Sequence, residues 1–308
     1  MIRVGVIGAG SMGRNHARVY SELPEVDLIG ISDLDRDIGL EIANKFGTKY
    51  YLDYMDLIEK RLDAISIAVP PSNHFQVAKE VAKRGTNILI EKPIADNLEK
   101  AREIISICNL YKVKLMVGHT ERFNPIIKVI KQSIGNSHPI SINITRVGPF
   151  PPKVKDVGII VDLAVHDIDL IYFLTNSSFK KIYCLKSINL SEFEDTAVLC
   201  FEMSNGTLAQ ITTNWLTPFK VREIIVATLN KFIKGWFIDQ KVVEYSKFSE
   251  DGSYITKELS VPYVEPLKNE IQSFINSIVG NKDVEVSGDD GLRALEIAIK
   301  CQEGKVRF

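Results

Sequence analysis

Three short groups of residues in this chain have the types and spacing for chemistry. The first is Gly8-Ala9-Gly10-Ser11-Met12-Gly13, a GxGxxG turn between the apolar run Ile2–Ile7 and a helical pattern opening at Ser11. In that setting Gly8 permits a tight turn, Gly10 lets a pyrophosphate approach the backbone, and Gly13 lets helix and strand pack closely. The N–H groups of the first helical turn, those of Ser11 and Met12 included, then face the anion. Asp33 follows Gly13 by 20 residues, at the end of a second apolar run. A carboxylate there accepts hydrogen bonds from an adenosine ribose and repels a 2′-phosphate. Leu34 and Asp35 bring no cation, so NAD is expected over NADP; Arg36 is the neighbour that keeps NADP in play.

The second group is Glu91-Lys92-Pro93, which ends the run Ile88–Ile90. A lysine at the carboxyl end of a parallel strand can hydrogen-bond a substrate hydroxyl and stabilise charge developing on its oxygen. The Lys-Pro bond is a candidate for the cis form. An ordinary surface lysine would look the same. The third group is Asp162 and His166, four apart at the start of the apolar stretch DLAVHDIDLIYFL. On a helix they share one face. A neutral imidazole can accept a hydroxyl proton, and a carboxylate one turn away can stabilise the imidazolium that forms. The same spacing fits a helix-capping aspartate and a core histidine. Asp167 and Asp169 read as solvated or structural.

The elements that must position these residues change character along the chain. Up to about residue 118, short β-branched runs alternate with amphipathic helical patterns: Ile2–Ile7, Val26–Ser32, Ala64–Ala68, Ile88–Ile90 and Lys114–Val117 read as buried strands. Leu98, Ala101, Ile104, Ile105 and Cys108 form one helical face. Alternation of this kind gives a parallel sheet covered on both sides. Beyond Glu121 come longer runs, Ile140–Arg146, Lys181–Ile188, Thr196–Met203 and Thr207–Asn214, the last two joined by a hairpin signal at Asn205-Gly206. Strands without intervening helices predict an antiparallel sheet. Two helical stripes close the chain, Leu267, Ile271, Phe274, Ile275 and Ile278, then Leu292, Leu295 and Ile299. The expected domains are 1–118 and 119–308, with the last helix free to pack back on the first.

Composition bounds the partners. Lys and Arg number 38 against 39 Asp and Glu, for a net charge of −1, so the chain has no general electrostatic hold on nucleic acid. No apolar run approaches the roughly 20 residues of a membrane span. The start, MIRVGVIGAG, lacks the pattern of a signal peptide, and a cytoplasmic protein is expected. Cys108, Cys184, Cys200 and Cys301 are far apart and read as inert buried thiols, with no zinc site or redox dithiol in their spacing. The five histidines show no metal-binding spacing.

GVIGAGSMGRNHA, AVPPSNHFQVA, ILIEKPIA and DLAVHDIDL occur in this order along the chain, which resembles the glucose–fructose oxidoreductase and inositol dehydrogenase family. The resemblance implies an α/β protein with a Rossmann domain and a C-terminal α+β domain built on a large open, mostly antiparallel sheet. It implies a homodimer or homotetramer packed through that sheet. It implies oxidation or reduction of sugars, cyclitols and related polyols with a nicotinamide cofactor. It places Pro70, Asn73 and His74 along the cofactor and Glu91 at the nicotinamide ribose. It makes Lys92, Asp162 and His166 the catalytic set. The stretches GHTERFNP, TRVGPFPP with the following DVGIIVDLAVHDIDLIYFL, and NWLTPFKVRE are similar to the branch that oxidises C3 of UDP-N-acetylglucosamine or its uronic acid. A diphosphate needs cations, and Arg122, Arg146, Lys220 and Arg222, with Asn124, are the expected substrate contacts. Two alternatives are a dehydrogenase of free polyols or cyclitols and a non-catalytic NAD-binding sensor. The intact Lys92, Asp162 and His166 set argues against the sensor.

Overall fold

The first unit grows from short strands apolar enough to be buried on both faces. In a computed structural model, which describes residues 1–150, 157–190 and 192–304, the chain opens with β1 (Ile2–Ile7), α1 (Ser11–Glu22), β2 (Val26–Ser32), α2 (Arg36–Lys45), β3 (Lys49–Tyr51) and α3 (Tyr54–Ile58). It continues with β4 (Ala64–Ile67), α4 (Pro71–Ala82), β5 (Asn87–Glu91), α5 (Leu98–Leu110) and β6 (Leu115–Gly118). All pairings are parallel and the order is β3-β2-β1-β4-β5-β6. The chain runs outward in opposite directions from β1, so a crevice opens at the carboxyl ends of β1 and β4. The helix starts follow local chemistry. Asp35 caps α2 by accepting from the N–H groups of Asp37 and Ile38, Asn97 caps α5 at Lys100, and Pro71 stands in the first turn of α4.

The second unit contains α6 (Pro125–Ile134), β7 (Ser141–Pro149), α7 (Val165–Thr175), β8 (Phe179–Ser187), β9 (Thr196–Met203), β10 (Leu208–Asn214), β11 (Leu216–Ala227), β12 (Lys231–Trp236), β13 (Lys241–Ser246) and β14 (Thr256–Leu259). Its sheet runs β14-β13-β12-β11-β7-β10-β9-β8. Every pairing is antiparallel except β7 with β10. The β9–β10 turn has Gly206 at φ +87°, as an Asn-Gly hairpin requires. One face of the sheet, with Ile142, Ile144, Leu199, Ile211 and Ile224, buries against Ile126, Ile127 and Ile130 of α6 and Ile168 and Ile171 of α7. Strands β11 to β14 were not evident from sequence. Pro218 and Gly235 interrupt their alternation, and their outward positions carry lysines and aromatics. Pro151, Pro152 and Asp156 of the stretches quoted above lie outside the described residues.

Two helices end the chain, α8 (Pro266–Val279) and α9 (Gly288–Gln302). Residues 1–119 and 267–293 form the first compact unit, and 120–266 with the remainder of α9 the second. The approach of α9 to β6 needs glycine: a Cβ on Gly288 would lie 2.8 Å from Leu115, and one on Gly291 2.7 Å from Val117. Further along, α9 buries Ala294, Ile297, Ala298 and Cys301 in the core of the second unit; of the stripe expected at Leu292, Leu295 and Ile299, Leu295 is buried and the other two are half-buried. Among the described residues no helix is long and apolar enough to cross a membrane, and no group of three or more His, Cys, Asp or Glu is arranged to hold a metal ion.

Candidate active site

The crevice at the strand ends of the first unit is a cavity of about 820 Å³, within the range that takes a cofactor. Gly8, Gly10, Met12, Asp33, Pro70, Asn73, Glu91 and Lys92 all line it. The three glycines differ in their reasons. Gly8 has φ +96°, and its Cβ would lie 2.5 Å from the Ala68 carbonyl oxygen. A Cβ on Gly13 would fall 1.7 Å from the Gly8 carbonyl oxygen. At Gly10 a Cβ would meet nothing within 4 Å, because that side opens on the cavity. Gly10 is also the N-cap of α1 and has no capping side chain, so the first-turn N–H groups are available to an anion. This cradle fits the pyrophosphate of a dinucleotide. Ser11, expected at the same site, is exposed on the first turn of α1 and does not line the cavity.

Asp33 has a structural task that its position in the sequence did not disclose. Its Oδ2 accepts from the Ala9 N–H at 2.5 Å and its Oδ1 from the Asp35 N–H at 2.8 Å. The carboxylate therefore ties the glycine turn to the end of β2 while facing the cavity. Leu34 and Leu52 are exposed apolar walls of the same cavity. Arg36 is not among its lining residues.

The Lys92–Pro93 bond is cis, and Lys92 is half-buried at the cavity wall. Two histidines set this turn from below. His74 is fully buried and lies outside the cavity lining. Its Nδ1 faces the Pro93 and Ile94 carbonyls at 3.0 and 3.3 Å, and its Nε2 faces the Val69 carbonyl at 2.9 Å. Burial pushes its pKa down, against the hydrogen bonds to these carbonyls, and the ring sits between two cavity loops. His16, on the buried face of α1, donates from Nε2 to Glu91 Oε1 at 2.9 Å. Its Nδ1 meets Ser66 Oγ at 2.8 Å, and the Tyr20 hydroxyl meets the same Oγ at 2.8 Å. One arrangement satisfies the whole chain: Tyr20 donates to Ser66, Ser66 to His16, and His16 to Glu91. Glu91 Oε2 accepts from the Lys92 N–H at 3.3 Å. Burial opposes ionisation of Glu91. The His16 hydrogen bond and the Lys92 charge outweigh it and hold the carboxyl below its ordinary value.

In the second unit Asp162 and His166 are half-buried positions on an otherwise mostly buried segment. Residues Ile160–Ala164 form a π-helical turn ahead of α7, a feature frequent at functional sites. The cap positions are Ile159 and Ala164, so Asp162 is not the helix cap. Asp167 and Asp169 are structural. Asp167 takes Arg146 Nε and Nη2 at 2.8–3.0 Å, and Asp169 takes Arg122 Nε and Nη2 at 2.7 and 2.5 Å. Arg146 is only 2% exposed and Arg122 only 7%. Asn124 is buried as well; it caps α6 at Ile126 and donates to the Phe237 carbonyl at 3.2 Å. These three side chains brace the unit internally.

Glu121, which sequence reasoning passed over, links Arg146 to the partly exposed Arg222. Its Oε1 accepts from Arg146 Nη1 at 2.7 Å and Arg222 Nη1 at 3.3 Å. Burial opposes its charge, but the two guanidiniums hold its carboxyl below the ordinary range. Asp162 lies close enough to act on the charge of Arg222. Lys220, also on β11, is exposed. Of the four expected substrate cations, Lys220 and Arg222 are therefore the two with solvent access.

Residues 2–119 match a family profile described as "Oxidoreductase family, NAD-binding Rossmann fold", and residues 131–230 match the "GFO/IDH/MocA C-terminal domain". Over 305 residues the chain is 27% identical to the UDP-N-acetylglucosamine 3-dehydrogenase of Acidithiobacillus ferrooxidans, covering 98% of this chain and 96% of that one. The solved structure of that enzyme superposes with a TM-score of 0.92 at 26% identity, over 98% and 97% of the two chains. Inositol 2-dehydrogenase of Rhizobium meliloti is 27% identical over 316 residues, 96% of this chain and 94% of that one. Levoglucosan dehydrogenase, solved with NADH and levoglucosan, shares the fold with a TM-score of 0.87 at 18% identity, over 98% and 97% of the chains.

Proposed function

The chain belongs to the GFO/IDH/MocA oxidoreductases and is an NAD-dependent dehydrogenase acting on CH–OH groups; from that premise we propose that its substrate is a nucleotide sugar of the UDP-N-acetylglucosamine type, oxidised at C3. The observation that carries this reading is end-to-end similarity to a UDP-N-acetylglucosamine 3-dehydrogenase in both sequence and fold. In this reading His166 takes the proton of the sugar hydroxyl, Lys92 stabilises charge on a substrate oxygen, and Asp162 orients the ring. Bound in the cavity, the nicotinamide supplies the hydride acceptor. Asp33 receives the adenosine ribose, and the α1 start receives the pyrophosphate. Lys220 and Arg222 are the cations for the substrate diphosphate.

One observation favours a second reading, a free polyol or cyclitol. Arg122 and Arg146 are neutralised by Asp169, Asp167 and Glu121, which leaves fewer cations for a diphosphate than the sequence suggested. Steady-state kinetics on UDP-N-acetylglucosamine, its uronic acid, free N-acetylglucosamine and myo-inositol separate the two. Highest catalytic efficiency on a free sugar or on inositol refutes the nucleotide-sugar reading. The proposal includes self-association as a homodimer or homotetramer through the outer face of the second sheet, where Tyr183, Leu185, Leu208 and Phe232 are exposed. A monomeric mass in solution refutes that part.

A further inference from the structure

Cys184 and Cys301 are remote in sequence, but the second unit brings them together. Ala294, Ile297, Ala298 and Cys301 of α9 lie three and four residues apart on one helical face and are buried in the core of that unit. Cys184, on the edge strand β8, packs against the same core. Its partner in the β8–β9 register is Leu199, which is fully buried, so Cys184 points inward. Cys200 pairs with Tyr183 and points to the opposite face. Two residues beyond Cys184, and on the same side of the strand, Lys186 donates from Nζ to the carbonyl of Gln302. The Gln302 amide in turn donates to Glu194 Oε1 at 2.8 Å. Strand and helix end are thus fixed beside each other, and the Cys184 and Cys301 thiols are near enough to act on each other. Both cysteines are free.

We propose that Cys184 and Cys301 form a peroxide-sensitive dithiol, oxidised to an intramolecular disulfide that clamps the end of α9 to the edge strand β8. The two thiols are not equivalent. Cys184 is half-buried, whereas Cys301 is fully buried. The Cys301 thiol, with Lys186 nearby, holds Cys184 below its ordinary range, while the same contact and burial push Cys301 up. Cys184 is therefore the attacking thiolate. Its sulfur attacks one oxygen of hydrogen peroxide, the O–O bond breaks, and hydroxide leaves, giving a sulfenic acid. The Cys301 thiol, giving up its proton, attacks that sulfur; the S–O bond breaks and water leaves. Two thiols are oxidised and one peroxide is reduced, giving one disulfide and two waters.

The test uses the full-length protein, treated with graded hydrogen peroxide, denatured, alkylated and mapped by mass spectrometry without reduction. The expected product has lost the mass of two hydrogens and yields a single cross-linked peptide joining Cys184 to Cys301. Its melting temperature rises by several degrees, since a long loop is closed in the unfolded chain, and thiol reductant reverses the rise. Cys184→Ser and Cys301→Ser each abolish the cross-link and the shift, while Cys108→Ser and Cys200→Ser keep both. The wild-type peptide map needs no variant, so a variant that folds poorly does not block the answer. A Cys184–Cys200 bond, an intermolecular disulfide, or sulfinic acid at Cys184 beside an intact Cys301 overturns the proposal. So does recovery of both thiols at doses that fully oxidise glutathione.

Discussion

Truncating His16 to alanine removes the donor that keeps the buried Glu91 carboxylate charged. Glu91 is 7% exposed, and in the wild type it accepts from His16 at 2.9 Å and from the Lys92 N–H at a longer 3.3 Å. A hydrogen bond to a charged group is worth about 1.5–3 kcal/mol, and breaking a buried pair costs about 3–5 kcal/mol. Protonation of Glu91 limits this cost. Each pH unit above the ordinary carboxylate value is worth about 1.4 kcal/mol, so a raised Glu91 in the variant costs at most about 3.5 kcal/mol at pH 7, beside the wild-type stabilisation that is lost. An electrostatic penalty of about 2–3 kcal/mol is expected there, on top of a smaller pH-independent cost from lost packing at His16.

The sign of the pH dependence is the sharper test. In the wild type Glu91 is held below its ordinary value. It therefore contributes stability that is present above that value and lost as pH falls through the folded one. In His16→Ala, burial is opposed chiefly by Lys92 and raises Glu91, so the penalty grows as pH rises through and above the ordinary carboxylate value. The gap between the two proteins should be narrower near pH 5 than at pH 7.5, measured as urea midpoints by circular dichroism. His16→Gln, whose amide nitrogen can donate to Glu91, should recover most of the loss. In a Glu91→Gln background, His16→Ala should cost only the pH-independent part. A gap that does not change with pH, or an undiminished cost in the Glu91→Gln background, would refute the reasoning.

Gly10→Ala should fold with near-normal stability, since its Cβ meets nothing, yet raise the NAD dissociation constant about tenfold or more by blocking the pyrophosphate. Gly13→Ala should instead lower the melting temperature, because its Cβ would strike the Gly8 carbonyl; calorimetry and thermal scans on both variants decide. Lys92→Ala and His166→Asn should each lower turnover by about 100-fold or more while NAD still binds, and near-normal turnover in either removes that residue from the chemistry. Asp167→Asn should destabilise the protein by about 3–5 kcal/mol in denaturant titration, since it leaves the buried Arg146 guanidinium short of its main partner. A loss under about 1 kcal/mol would mean that Glu121 alone satisfies Arg146.

What the sequence disclosed, and what it hid, follows from the range of each signal. The places of the glycine turn, Asp33 and Lys92 at the cavity were legible because they rest on neighbours within a strand, turn and helix. His16, Ser66 and Tyr20 were not, because their contacts join residues 46 to 75 positions apart. The only trace was polarity in the wrong place, a serine inside the fully buried strand AISI. A buried hydroxyl needs a partner, so that serine pointed to a network without naming its members.

Arg146 is a case where the signal was present and was read the other way. Its charge suggested a diphosphate contact. Yet β7 alternates, and Ile142, Ile144 and Arg146 share one parity. A strand that buries its isoleucines buries the arginine with them, and a buried guanidinium requires carboxylates. α7 answers that demand. It is buried nearly all round, so Asp167 and Asp169 had to be paired inside the unit and could not be solvated. Each half of the ion pair was inferable from its own element. Which arginine meets which aspartate was not, because that depends on how α7 lies over the sheet. The same rule separates the half-buried Asp162 and His166, which keep contact with solvent, from the two aspartates beside them that brace the core.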